Sequence, residues 1–373
     1  MIFFLGPLPP PVHGFAAINQ KMLAHLSEKT EVHVFNTSPG LPHKHKHKAW
    51  LPWLPLLRVL AWLRQFFPFL LLAMVKRPDA LYAGLSGGMG QIFDAFYILA
   101  ARLSGANIFL HHHSFAYVNT PKIHNRICLW LAGPACHIAL CDVMAEKLVH
   151  VYGIRRDRIC ILSNAAFLEE ERQLPVEYRQ ARDVLTLGFL SNITLEKGIV
   201  EFFDVIANLT QQGIRVKGMV AGPVDANIKD MFFSMLREQE EIEYVGPVYD
   251  LKKVAFFRSV DMLLFPTKYS NEAEPLTILE AMRDGIPVVS ANRGCIRSMI
   301  NMRSGMVCNE IDHFVEDASE YIKSVLHGTN PLDVLSENAF KQFFKMRHVH
   351  RARLDDLIEK IIATKQCHKP LQA

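Results

Sequence analysis

The stretch Asp261–Ser290, DMLLFPTKYSNEAEPLTILEAMRDGIPVVS, decides the fold. Met262 to Phe265 is a short apolar run closed by Pro266, the pattern of a strand buried on both faces of a parallel sheet. A polar loop over 267–274 follows. Pro275 suits the first turn of a helix, where its missing N–H costs nothing. Leu276, Leu279, Ala281 and Met282 give that helix an apolar stripe, and Gly285 is placed to end it. Pro287-Val288-Val289 reads as the next buried strand. The spacing predicts a strand–loop–helix–strand unit, whose loop and helix start lie at the carboxyl end of a strand, where open α/β sheets bind ligands.

Glu272 falls in that loop and Glu280 on the helix. A helix N-terminus offers free N–H groups and a partial positive charge, so it favours a phosphate. Two carboxylates beside it can accept hydrogen bonds from sugar hydroxyls. Taken singly, either Glu reads equally well as a solvated surface residue. Taken together, Glu272, Pro275-Leu276, Glu280-Ala281-Met282, Gly285 and Pro287-Val288-Val289 resemble the nucleotide-sugar signature of the retaining glycosyltransferases of family 4. The resemblance implies an α/β chain of GT-B architecture, two Rossmann-like doubly wound parallel-sheet domains facing a cleft. It further implies that Glu272 holds the donor sugar, that Glu280 holds the ribose, and that Leu276 and Thr277 offer the helix start to the donor.

Composition is consistent with this. The 373 residues suffice for two domains with a core each, and 50% hydrophobic against 21% charged residues fits large buried sheets. A net charge of +4 is too weak to argue for nucleic acid, but fits anionic substrates or an anionic membrane surface. The cysteines show no Cys-x-x-Cys spacing, so no zinc site is expected. Met1 to Leu5 lacks a basic leader and runs into Gly6, so no cleavable signal peptide is read and a cytoplasmic location is expected.

Alternating strands and helices run through the rest of the chain. Ile2 to Leu5 reads as a first strand, followed by a Pro-rich loop to Gly14 and a helix over 15–26. Gly14 lets backbone approach a phosphate. The loop lacks Gly-x-Gly-x-x-Gly, which argues against a nicotinamide enzyme. The strand over 106–110 ends in His111-His112-His113. Neighbours on a strand point to opposite faces, so three consecutive histidines cannot converge on a metal. By the resemblance His113 lies beside the donor sugar. In the second half, Ser191-Asn192-Ile193-Thr194-Leu195-Glu196-Lys197-Gly198 resembles the family's diphosphate loop, with Asn192 standing where an Arg is usual. Lys197 beside a helix start suits a phosphate, and by the resemblance Gly246 belongs to the strand and loop that hold the base. The expected boundaries are an acceptor-binding domain at 1–166, a linker at 167–183, a donor-binding domain at 184–340, and a last helix over 341–373 crossing back to the first domain.

The basic run His43 to Lys48 precedes an apolar stretch over 49–75 with Trp50, Trp53 and Trp62. Arg58, Arg64, Pro52, Pro55 and Pro68 interrupt it, so it reads as lying on a membrane, or as a core helix, rather than as a span.

The expected function is a metal-independent retaining glycosyltransferase, with His113, Lys197 and Glu272 catalytic and no cofactor. It would move a sugar from a UDP- or GDP-linked donor to a saccharide or lipid-linked acceptor in surface-polysaccharide assembly, peripheral on the inner face of the membrane. A nucleotide-sugar epimerase of the same architecture, or an inactive subunit of an assembly complex, are the rival readings; Asn192 keeps the latter open.

Overall fold

The computed structural model describes residues 1–11, 13–38, 54–169 and 183–363. Lys44, Lys46, Lys48, Trp50, Trp53 and most of the expected linker lie outside the described residues. The chain divides into two compact units, Met1–Phe167 with Val349–Ala373, and Leu168–His348.

In the first unit the short apolar runs become β1 (Ile2–Gly6), β2 (Val32–Asn36), β3 (Ala80–Leu85), β4 (Asn107–His112), β5 (Cys136–Ala139) and β6 (Ile159–Ile161). They form a parallel sheet in the order β2-β1-β3-β4-β5-β6. Every residue of β1 and β3 is buried, as a sheet covered on both faces requires. The second unit repeats the plan with β7 (Leu185–Leu190), β8 (Val216–Ala221), β9 (Ile242–Gly246), β10 (Met262–Phe265), β11 (Val288–Ala291) and β12 (Gly305–Cys308), in the parallel order β12-β11-β10-β7-β8-β9. Two six-stranded parallel sheets with crossover helices are the GT-B plan. The quoted stretch is β10, a loop, helix Leu276–Arg283 and β11; Pro275 caps the helix, one residue before its first turn.

Both sheets start in the middle. The chain lays β1 and β2 in one direction, then returns to the other side of β1 for β3 to β6. It lays β7, β8 and β9, then returns to the other side of β7 for β10 to β12. Crossovers therefore leave in opposite directions from β1 and β3, and from β7 and β10. The loops at the carboxyl ends of such a pair splay apart and open a crevice.

Helix Leu54–Lys76 packs its Phe69 and Ala73 into the first unit's core. Among the described residues no helix is long and apolar enough to cross a membrane. The 32-residue helix Leu332–Ala363 belongs to both units. Leu335, Ala339 and Phe343 are buried in its early part, and Leu354, Leu357, Ile358 and Ile361 in its late part.

Candidate functional site

Of the residues singled out in the second unit, Lys197 and Glu272 meet at the β7/β10 switch point. After β7, Thr194 caps a single turn, Leu195–Lys197, its hydroxyl accepting from the Lys197 N–H at 3.1 Å. Gly198 then takes a left-handed φ of 82° and starts helix Ile199–Gln211. A Cβ at Gly198 would run into the Pro266 carbonyl oxygen, so only glycine lets the loop after β7 close on the end of β10. The Lys268 N–H donates to the Glu196 carbonyl at 2.8 Å and ties the same two loops again.

This closeness brings Lys197 to Glu272. The ammonium donates directly to Oε2 of Glu272, and both side chains are mostly buried. The Thr267 hydroxyl donates to the same oxygen at 3.3 Å. The Lys197 Nζ also lies 4.9 Å from the centre of the Tyr269 ring. Glu272 is held from behind as well. Gly294, at φ 53°, lies so close to the carbonyls of Glu272 and Ala273 that a Cβ would clash with both. The next residue's N–H, from Cys295, donates to the Ala273 carbonyl at 2.9 Å.

Leu276 and Thr277 open their helix half-buried, where its first N–H groups have no partner within the helix. Glu280 does not join Lys197. It forms an ion pair at 2.5 Å with Lys253 of helix Asp250–Ser259, off the direction of an aligned hydrogen bond. Asn192 is exposed, on a loop whose Ile193 N–H donates to the Pro223 carbonyl at 2.9 Å. Gly246 ends β9 half-buried, its carbonyl accepting from the Gly222 N–H at 3.0 Å.

In the first unit, Gly14 and His113 are brought near one another through Phe15. Gly14 begins helix Gly14–Lys29, capped by His13, whose Nδ1 accepts from the Ala16 N–H at 3.2 Å. Phe15 lies with its ring centre 4.5 Å from that of His113. On its other side His113 meets His111, at 3.9 Å between ring centres. His111 is anchored by the Tyr82 hydroxyl, 2.6 Å from its Nδ1. The His113 ring keeps an exposed edge, yet its Nε2 is inaccessible and without a partner among the described residues, and so is that of His111. Such atoms are rare in native structures. Burial lowers the His113 pKa to about 3 and holds His111 well below its ordinary value, so both are neutral at pH 7.

The histidines alternate as strand geometry demands. His112 turns to the opposite face, where its Nδ1 lies 2.7 Å from the Tyr117 hydroxyl and its Nε2 lies 3.0 Å from Nδ1 of His137 on β5. Among the described residues no group of three or more His, Cys, Asp or Glu is arranged to hold a metal.

Sequence reasoning missed Lys253, Tyr269 and His137. Nothing in the Asp250–Ser259 helix sets Lys253 apart from Lys252 until the fold places it beside Glu280. Tyr269 carried a signal, since it lies three residues before Glu272 in the quoted loop.

With this geometry in hand, comparison with known proteins gives a consistent picture. Residues 171–342 match the glycosyl transferases group 1 family. A capsular polysaccharide biosynthesis glycosyltransferase of Staphylococcus aureus, CapM, is 21% identical over 217 residues, which span 55% of this chain and 56% of that relative's length. Among solved structures, Anabaena HepE in complex with UDP superposes with a TM-score of 0.70 at 15% identity, covering 96% of this chain and 99% of that one. The lipopolysaccharide outer core galactosyltransferase WaaB in its apo form gives 0.67 at 19% identity, covering 98% and 99%. At these identities the structural likeness establishes the fold.

Proposed function

With a glycosyl transferases group 1 domain at residues 171–342 as the premise, we propose that the protein is a retaining, metal-independent glycosyltransferase that moves a sugar from a nucleoside-diphosphate donor to a saccharide acceptor carried on a lipid, in surface-polysaccharide assembly. The observation that carries this reading is the Lys197–Glu272 pair at the switch point, beside the start of helix Leu276–Arg283. Negative charge grows on the departing nucleoside diphosphate as the glycosidic bond breaks. Fixed donors aimed at developing charge are usually the largest catalytic term. Lys197 and the N–H groups at Leu276 and Thr277 are such donors. They can meet the diphosphate without a divalent cation, and turnover is expected to persist in a chelator.

Glu272 then accepts from donor-sugar hydroxyls in place of the hydrogen bond it takes from Lys197. Glu280, on the same helix, accepts from the ribose. His113, neutral at pH 7, is the first unit's candidate residue for the reaction. The UDP bound by HepE and the polysaccharide and lipopolysaccharide roles in the names CapM and WaaB support this class of donor and acceptor. The peripheral, cytoplasmic position belongs to the same reading.

The test is transfer itself. The purified chain is incubated with UDP- and GDP-linked hexoses and a lipid-linked saccharide, and the anomeric configuration of the product is read by NMR. A product with inverted configuration removes retention. A sugar nucleotide isomerised without acceptor makes the protein an epimerase, and nucleotide-sugar binding with no turnover on any acceptor makes it a binding subunit.

Glu280→Ala is expected to weaken donor binding about 10–150-fold, the equivalent of losing one charge-assisted hydrogen bond of ~1.5–3 kcal/mol. Lys253→Ala serves as the control, because it breaks the same ion pair and leaves the carboxylate. Calorimetry that finds wild-type donor affinity in the folded Glu280→Ala protein removes Glu280 from the site.

A further inference from the structure

Three helices of the first unit pack side by side. Leu54–Lys76 lies against Gln91–Leu103, which lies against Ile123–Ala132. The inward side of each feeds the core. The outward side of Leu54–Lys76 is apolar too: Leu60, Phe67, Leu71 and Val75 fall on one face at steps of seven, four and four, and Leu71 is 68% exposed. An apolar stripe on a helix is normally covered.

The stripe continues onto the second helix. Phe96 is exposed and sits with its ring centre 5.3 Å from Trp62 and 6.1 Å from Phe66 of the first helix. It ends on the third helix, where Ile123, Ile127 and Trp130 share a face and Trp130 is 75% exposed. Single exposed apolar residues need no explanation, but a run of them across three packed helices does.

The charges on this layer have one sign. Arg64 stands within the Leu60–Phe67–Leu71 stripe, and Arg102, Lys122 and Arg126 are exposed at its other end. The three helices contain a single carboxylate, Asp94, which is buried and accepts from the Ser86 N–H at 2.8 Å. An apolar surface with a tryptophan, cations within it and at its end, and no exposed carboxylate on its three helices complements the interface of an anionic bilayer. No described helix is long and apolar enough to enter it as a span.

We propose that the outer face of helices Leu54–Lys76, Gln91–Leu103 and Ile123–Ala132 is the surface on which this protein lies on an anionic lipid bilayer. Leu71, Phe67 and Trp130 enter the headgroup region, and Arg64 and Arg126 meet lipid phosphates. The inference deepens the peripheral position within the function proposed above and rests on that reading for what the bilayer carries. Its test uses no donor or acceptor, so a failed transfer assay and a failed docking face are told apart.

The full chain is sedimented with vesicles of phosphatidylcholine alone or with phosphatidylglycerol added. Wild type is expected to pellet with the anionic vesicles, and to be released by phosphatidylcholine alone or by high salt. Arg64→Ala is expected to lower the vesicle affinity about 5-fold, the equivalent of about 1 kcal/mol per cation near the surface. The double variant Leu71→Asp/Trp130→Asp changes two exposed side chains and is expected to stay in the supernatant with an unchanged circular dichroism spectrum. Three outcomes overturn the proposal. One is wild type recovered equally in the supernatant with and without anionic vesicles. Another is a folded double variant that still pellets, which assigns binding to the Lys44–Lys46–Lys48 run it leaves intact. The third is wild type sedimenting as a dimer that the double variant splits, which puts a second copy on the face.

Discussion

Replacing Lys197 by alanine is expected to lower turnover by about 10²–10³-fold, the loss usually seen when one preorganised donor to a developing anion is removed. The charge acts most strongly as the diphosphate leaves, so kcat should fall more than KM rises. The structure adds a second consequence. Lys197 is the cation on the mostly buried Glu272 carboxylate, so the substitution leaves that carboxylate with the Thr267 hydroxyl as its remaining donor in the loop. Some stability is therefore lost as well, and the two effects must be separated. Lys197→Ala combined with Glu272→Gln removes the stranded charge. If the double variant turns over as fast as Glu272→Gln alone, Lys197 serves only to neutralise Glu272. If it is much slower than Glu272→Gln alone while unfolding returns to the wild-type midpoint, the lysine acts on the leaving group.

Lowering the pH from 7 to 5 is expected to destabilise the first unit by several kcal/mol. His111 and His112 are fully buried and held well below their ordinary pKa, mainly by desolvation. Burial, helped by the nearby Arg158, pushes His137 down to about 4, and burial pushes His113 down to about 3. Between His112 and His137 two ring nitrogens face each other at 3.0 Å, and one hydrogen serves both. A further proton would set two N–H groups against one another. A histidine whose folded-state pKa is lowered binds fewer protons when folded. Its contribution is therefore complete above about pH 6.5 and is lost as the pH falls toward the folded value. Linkage gives about 2 kcal/mol per histidine between pH 7 and 5. His113 keeps an exposed edge and contributes least. Asp94 works the other way: burial raises it to about 7, so it takes up its proton on folding and offsets about 2 kcal/mol. The histidines outnumber it. Urea unfolding followed by fluorescence at the two pH values checks the sign, and equal midpoints would show that these rings are reached by water.

How far could this have been read from the chain? The strands were legible because sheets covered on both faces need continuous apolar runs, and Phe3-Phe4-Leu5 or Leu263-Leu264-Phe265 admit little else. The helix at Leu276 was legible from Pro275, its apolar stripe and Gly285, and the loop carrying Glu272 from the polar run between strand and helix. What pairs Lys197 with Glu272 was not: it depends on β10 lying beside β7, and strand order is a property of the whole sheet. The partner of Glu280 was hidden likewise, since Lys253 arrives from a neighbouring crossover helix. The His111-His112-His113 alternation followed from strand geometry, whereas His137 came from the next strand over. For helix Leu54–Lys76 periodicity fails in principle. Apolar residues occupy both its faces, Arg64 being one of few marks of the outward side, and packing against Tyr97 and Phe35 is what tells Phe69 from Leu71.

The Leu332–Ala363 helix makes the first unit discontinuous in sequence. Its late part supplies buried Leu354, Leu357, Ile358 and Ile361, the His350 Nδ1 that accepts from the Ser163 N–H at 3.2 Å, and an Arg353 guanidinium 3.3 Å from the Ile161 carbonyl. During translation Met1–Phe167 leaves the ribosome first, with the surface those residues will cover still bare. The unit made first is thus completed last, after all of Leu168–His348 has been synthesised. Until then the nascent chain carries a sticky, unfinished half, and chaperone occupancy during synthesis should track the distance between codons 167 and 349 rather than the stability of either unit.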